Sequence, residues 1–99
     1  MANDTLQIMN TMDMALRYEG ELVRDGGHVV GIKPRPLSRS VFYAEVLSNG
    51  TVAFSIRTDD EIVAHGVIPD LTYDGYEYFA GLLQDVDSGL FTQRKDTKL

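Results

Sequence analysis

The spacing of apolar residues along the chain predicts two helices, one near each end. The first spans about residues 4–18 and the second about residues 71–87, each with apolar positions three or four residues apart on one side. Gly20 and Gly89 are predicted to end them, because glycine readily adopts the left-handed conformation found at helix C-termini. The apolar stripes are Ile8, Met9, Met12, Ala15 and Leu16 in the first helix, and Tyr76, Phe79, Ala80, Leu83 and Val86 in the second.

Short apolar runs between the two helices predict five strands. They are expected at about residues 21–24, 28–32, 41–47, 51–57 and 61–68. Gly26 and Gly27 supply the turn of a first hairpin, and Asp59 with Asp60 turns the chain into the last strand. The segment 33–40 contains two prolines, which cannot donate to a sheet ladder, so it is predicted to be a loop.

The register of the central hairpin follows from its apolar pattern. A two-residue loop would place Glu45 opposite Phe54 on the buried face. A three-residue loop, residues 48–50, instead gathers every apolar partner on one face and needs a positive φ only at Gly50. We therefore predict the three-residue loop, with the pairs Val46 and Val52, Ala44 and Phe54, and Phe42 and Ile56.

These elements together predict an α+β fold with the order α-β-β-β-β-β-α. An antiparallel sheet of about four to five strands is expected between an N-terminal and a C-terminal helix packed on one face. Residues 1–90 are predicted to form a single domain, and residues 91–99 a basic, flexible tail.

Charge is distributed unevenly along this chain of net charge −6. The first 57 residues balance six acids against six bases, whereas residues 58–90 contain no lysine or arginine. Such asymmetry concerns what a surface attracts, not the fold. The eight carboxylates of that stretch belong to Asp59, Asp60, Glu61, Asp70, Asp74, Glu77, Asp85 and Asp87.

Composition narrows the class of protein. The chain has no cysteine, which removes disulfides, thiolate catalysis and cysteine-based metal sites. Its N-terminus lacks the features of a signal peptide, and no apolar stretch approaches the roughly 18 residues of a membrane span. A cytoplasmic protein without membrane contact is therefore expected.

Catalytic and metal-binding signatures are weak. There is no Gly-x-Ser-x-Gly elbow, and no ligand spacing links His28 to His65. The spacing of Asp85, Asp87 and Gly89 is similar to the first positions of a calcium-binding loop, but the later positions of that loop do not match. The face on which His65 lies depends on the length of the turn at Asp59 and Asp60. With a two-residue turn His65 shares a face with Phe54, and with a three-residue turn Ala64 does instead. We predict no catalytic residue, metal or cofactor.

Nucleic-acid binding is disfavoured as well. The chain contains no phosphate-binding glycine motif, and its one basic cluster, residues 33–39, is expected to be a solvated connection. Affinity for nucleic-acid backbones comes from lysine and arginine, and an acidic surface repels them. No direct nucleic-acid partner is predicted.

The outward face of the second predicted helix is a candidate surface for binding another protein. Tyrosine supplies contact area at low entropic cost, and carboxylates steer the approach of a basic protein. Gly81 on the same face lowers helix propensity, which indicates a close approach or a tolerated defect. Together with the acidic hairpin tip, the predicted partner-binding residues are Asp59, Asp60, Glu61, Tyr73, Asp74, Glu77, Tyr78 and Asp85.

The leading functional hypothesis is a non-enzymatic binding module that covers a basic, nucleic-acid-binding surface of another protein. In general profile the short, acidic, cysteine-free chain resembles small phage or mobile-element inhibitors of host defence or of host nucleic-acid machinery, although no motif assigns it to a family. One alternative is a ligand-binding or enzymatic domain with a pocket between sheet and helices, using His65, Tyr43 or Glu45. Another is a homodimeric structural subunit that pairs through a sheet edge or the first helix.

Overall fold

The computed structural model describes residues 2–90, with side chains from residue 5 onward. Its elements are helix α1 (Ala2–Ala15), strands β1 (Glu21–Asp25), β2 (His28–Lys33), β3 (Ser40–Val46), β4 (Val52–Thr58) and β5 (Glu61–Ile68), and helix α2 (Tyr73–Asp87). The predicted basic tail, residues 91–99, lies outside the described residues.

The five strands form one antiparallel sheet in chain order, each paired with the next. Helix α1 packs over β2 and β3, α2 packs over β3 and β4, and the helices contact each other. Their buried side chains join one core on a single face of the sheet. This confirms the predicted α+β fold. Within residues 2–90, neither helix is long and apolar enough to cross a membrane.

Three phenylalanines, one each from β3, β4 and α2, form the centre of the core. The ring centroids of Phe42 and Phe79 lie 5.8 Å apart, and those of Phe54 and Phe79 lie 4.5 Å apart. Around them most residues of the predicted helical stripes are buried, while Ala15, Tyr76 and Val86 are partly buried against the core. Complete burial of a large apolar side chain contributes about 1.5–3 kcal/mol to stability. The side chains with no more than 2% exposure are Phe42, Met9, Met12, Leu16, Ile32, Ile56, Leu83 and Ser40.

The central hairpin has the predicted register. Val46 pairs with Val52, Ala44 with Phe54, and Phe42 with Ile56. The loop contains three residues, and Gly50 adopts a φ of 88°. Apolar alternation was therefore sufficient to fix the pairing of these two strands.

The last hairpin combines features of both sequence alternatives. Its turn has only two residues, Asp59 and Asp60, both with positive φ (53° and 69°) as a type I′ turn requires. Val63 is an extra residue on β5, because Arg57 pairs with Ile62 while the next pair joins residues 56 and 64. This bulge restores the pattern of a longer loop, so Ala64 rather than His65 shares the core face.

Helix α1 ends earlier than the sequence predicted. The Tyr18 N–H donates to the Asp13 carbonyl at 2.7 Å, and Arg17 and Tyr18 take left-handed φ values of 64° and 62°. Gly20 is not the terminator. A Cβ there would lie 2.8 Å from the backbone oxygen of Lys33, so this glycine serves close packing against β2.

Helix α2 ends where predicted. Gly89 has a φ of 80°, and the Leu90 N–H donates to the Asp85 carbonyl at 2.8 Å. At the other end, the Thr72 hydroxyl accepts from the Gly75 N–H, so the helix begins two residues later than expected. These two caps fix the length of the surface that α2 presents.

Candidate partner-binding surface

The outward side of α2 presents the predicted acidic and aromatic residues. We call the exposed residues Tyr73, Asp74, Glu77, Tyr78 and Asp85 the acidic face of α2. At 1.5 Å per residue, its carboxylates span about 16 Å along the helix axis. The helix contains no lysine or arginine. Its opposite side buries Phe79, Ala80 and Leu83, which anchors the face on the core.

Gly81 lies within the acidic face and makes no contact that requires a glycine. A Cβ built at this position meets no atom within 4 Å. Glycine inside a helix costs about 1 kcal/mol relative to alanine. Internal packing therefore does not explain the residue, and a shallow gap separates the turns that carry Glu77 and Asp85.

The acidic turn, Asp59, Asp60 and Glu61, lies near the C-terminal end of α2 and not along its length. Thr58 lines the same small depression as Val86 and Gly89. All three residues of the turn are exposed. The eight predicted partner-binding residues are thus all at the surface, in two groups that approach each other at one end of the helix.

The proline-containing loop neutralises part of this acidic surface. Arg39 pairs with Asp59 at 3.0 Å, and Arg35 Nε donates to an Asp87 carboxylate oxygen at 2.7 Å. Both arginines come from the segment that the sequence indicated to be a solvated connection. The loop instead packs against the end of α2, and among the residues that the structure describes its arginines pair with two of the eight carboxylates of the stretch 58–90.

Asp87 is held by a buried polar network at the end of α2. Its side chain is 12% exposed, and the Ser38 hydroxyl donates to it at 2.6 Å. Ser38 Oγ also accepts from the Ser40 N–H, and Ser40 Oγ lies 2.9 Å from the Thr58 hydroxyl oxygen. Since a carboxylate at a helix C-terminus opposes the helix dipole, these donors stabilise its charge.

The two histidines are far apart in the fold. His28 begins β2 and His65 lies in β5, so two strands of the sheet separate them. Both side chains are exposed. Within the described part of the chain, no three residues of a ligating type are grouped around a metal position. The calcium-like spacing at the end of α2 has its Asp87 carboxylate committed to Arg35 and Ser38.

A groove that the sequence did not reveal opens where β2 separates from β3. These strands pair only at Gly31 with Tyr43 and at Ile32 with Phe42. A Cβ on Gly31 would lie 2.7 Å from the Phe42 carbonyl oxygen, so the glycine permits the contact. Beyond it lies a groove of about 590 Å³, lined by Tyr43, Glu45, His28 and Arg57 among others.

Arg57 and Tyr43 are in contact on the outer face of the sheet, at this groove. The guanidinium carbon of Arg57 lies 5.1 Å from the centroid of the Tyr43 ring, within cation–π range. Glu45 also lines the groove, but His65 does not. Thr5 of α1 also lines this groove, and a smaller depression of about 370 Å³ lies between α1, the sheet and Tyr76 of α2, so a pocket between sheet and helices stays a prediction.

Tyr76 sits between the core and the acidic surface. Partial burial raises the pKa of its phenol above the usual 10.0, and the nearby negative charge of Asp70 raises it further. The phenol therefore stays protonated at neutral pH and adds no charge to the surface.

Comparison with known proteins supplies no relative. No protein-family model matches the chain, and neither do the curated proteins or the solved structures with which it was compared. Function has to be inferred from the geometry of this molecule itself.

Proposed function

We propose that the protein is a non-enzymatic binding module whose acidic face of α2 contacts a basic surface of another protein. The observation that carries the proposal is the exposure of three carboxylates and two tyrosines together on one side of a helix that contains no lysine or arginine. The buried side of the same helix is packed into the core. The face is therefore presented on a rigid element, which lowers the entropic cost of binding.

The mechanism combines steering with contact area. Asp74, Glu77 and Asp85 accelerate encounter with a positively charged surface, and this effect weakens as salt screens the charges. Tyr73 and Tyr78 are 48% and 65% exposed, so their rings are available for burial in an interface. Aromatic residues of this kind dominate the energetics of protein interfaces.

In this proposal the partner's basic surface is one that otherwise binds nucleic acid. Carboxylates on the helix would occupy positions that phosphates take, and the partner would lose its nucleic acid by competition. Such inhibition needs no catalytic residue. It also agrees with the profile of a small inhibitor directed at a host defence complex, as carried by phages or mobile elements.

The test is capture of a partner by tagged protein from native lysate, with and without nuclease. The variant Asp74→Lys/Glu77→Lys/Asp85→Lys reverses the acidic face, and Glu19→Lys/Glu21→Lys/Asp25→Lys makes the same charge change at exposed positions elsewhere.

We expect a stoichiometric basic partner that is retained after nuclease treatment and released by salt. The reversal in α2 should abolish its capture without lowering the melting temperature, whereas the control variant should retain it. Equal losses in both variants would show that only net charge matters, and the proposed face would be wrong.

A ligand-binding role is the second candidate, favoured by the groove beside Tyr43 and Arg57. Grooves that combine apolar surface with a few convergent polar groups are typical of small-molecule sites. A thermal-shift screen of small aromatic carboxylates tests it. A stabilising compound whose effect disappears in Arg57→Gln would support this role, and no stabilisation by any compound of the class would count against it.

A further inference from the structure

The two edges of the sheet differ in how they are protected against pairing with another strand. An edge strand exposes the N–H and C=O groups of alternate residues, which can accept a further strand. Strand β1 has five residues, a bulge between Val23 and Arg24, and charged residues at three of its positions. These are the devices by which proteins block edge pairing.

Strand β5 has few of these devices. It is the longest strand, with eight residues, and contains no lysine, arginine or proline. Its bulge at Val63 leaves a regular stretch from Ala64 to Ile68. The outward side chains of Ile62 and Val67 are 50% and 61% exposed. Helices α1 and α2 pack over β2 to β4, so neither covers this edge.

Acidic residues flank both ends of this edge. The acidic turn precedes it, with Glu61 as the first residue of β5, and Asp70 follows two residues after its end. All of these side chains are exposed. An edge that is apolar apart from His65 and lies between two negative ends complements an extended segment that is apolar in its middle and basic at its ends.

A second copy of this chain fits the edge poorly. In an antiparallel pair of β5 strands, Glu61 of each copy approaches the end near Asp70 of the other. Like charges placed opposite each other across strands are destabilising. The net charge of −6 on each copy adds to this repulsion.

We propose that β5 captures an extended segment of the basic partner by adding it to the sheet as a sixth strand. The segment carries alternating apolar residues with lysine or arginine at both ends. This inference rests on the proposed function, since it assigns the same partner a second contact. Backbone hydrogen bonds supply affinity, and the flanking carboxylates select the charge of the segment.

The experiment uses a capped synthetic peptide of alternating valine and threonine with lysine and arginine at both ends. Binding is followed by calorimetry and by amide hydrogen exchange. We expect slower exchange at alternate residues of β5 between Ala64 and Ile68, and no change along β1. A peptide with glutamate at both ends should not bind.

Two matched variants test the flanking charges. Glu61→Lys/Asp70→Lys reverses the ends of β5, and Glu21→Lys/Asp25→Lys makes the same substitutions at the ends of β1. The first should weaken peptide binding about tenfold or more, as expected for the loss of opposite-charge contacts at both ends. The second should leave it unchanged. Equal effects, protection on β1, or self-association of the free protein through β5 would each overturn the proposal.

Failure of this inference can be separated from failure of the proposed function. The reversal of the acidic face of α2 leaves β5 intact, so that variant should still bind the peptide. Peptide binding without capture of any basic partner would contradict the proposed function alone. Capture that depends on α2, with no protection of β5 by the peptide, would contradict the inference alone.

Discussion

Replacing Gly81 with alanine should stabilise the protein. The added methyl group meets no atom within 4 Å, and the residue lies inside α2 without a positive φ. Only the intrinsic helix preference remains, and it favours alanine by about 0.8–1 kcal/mol. For a domain of this size that corresponds to a rise in melting temperature of about 4–8 °C.

The assay is urea denaturation of the wild type, Gly81→Ala and a contrasting variant, Gly31→Ala. At Gly31 a Cβ would lie 2.7 Å from the backbone oxygen of Phe42, so alanine there should lower the free energy of unfolding. The midpoint should rise for Gly81→Ala with an unchanged slope. A lower midpoint for Gly81→Ala would refute the inference that this position is open.

The same variant reports on the role of the acidic face. Unchanged capture of the partner by Gly81→Ala would identify the glycine as a tolerated helix defect. Weaker capture by a more stable protein would instead show that the partner approaches the helix backbone at this gap. Because the two readouts move independently, loss of binding could not be attributed to unfolding.

Two further substitutions test the surroundings of α2. Asp87→Ala should lower the free energy of unfolding by about 1–3 kcal/mol in urea denaturation, because Ser38 and Arg35 lose their acceptor; an unchanged midpoint would contradict a structural role. Tyr76→Phe should reduce the loss of stability at alkaline pH. Because the pKa of the Tyr76 phenol is raised in the folded state, its contribution to the stability of the wild type is fully present below about pH 10. That contribution is lost at higher pH, where the phenol ionises first in the unfolded state. Identical pH profiles of the melting temperature would refute this role of Tyr76.

Local patterns in the sequence were enough for the elements and for one hairpin. The three-residue loop ending at Gly50 was predictable because a wrong register would have buried Glu45 beside Phe54. Helix α2 was predictable because its buried stripe and its terminal Gly89 lie within one short segment. The exposure of the five predicted partner-binding residues on α2 followed from the same periodicity, and that of the three at the hairpin tip followed from turn chemistry, while their role in binding stays a prediction.

Other features arise from contacts between distant segments. Arg35 and Asp87 are separated by 52 residues, and no local sequence pattern predicts their ion pair. The sequence therefore overstated the separation of charge, since it could not show that the proline-containing loop folds back onto the end of α2. The end of α1 was also missed, because Arg17 takes a left-handed conformation that sequence preferences assign to Gly20.

By itself, the sequence determined which segments become helices and strands, the fold class, and the acidic character of one surface. These follow from periodicity and turn chemistry, which act over a few residues. Only the tertiary structure decided the bulge at Val63, the separation of β2 from β3 beyond Gly31, and the edge at β5 that neither helix covers. Those features depend on how twisted strands meet and on where the helices stop covering them, and both are properties of the packed molecule.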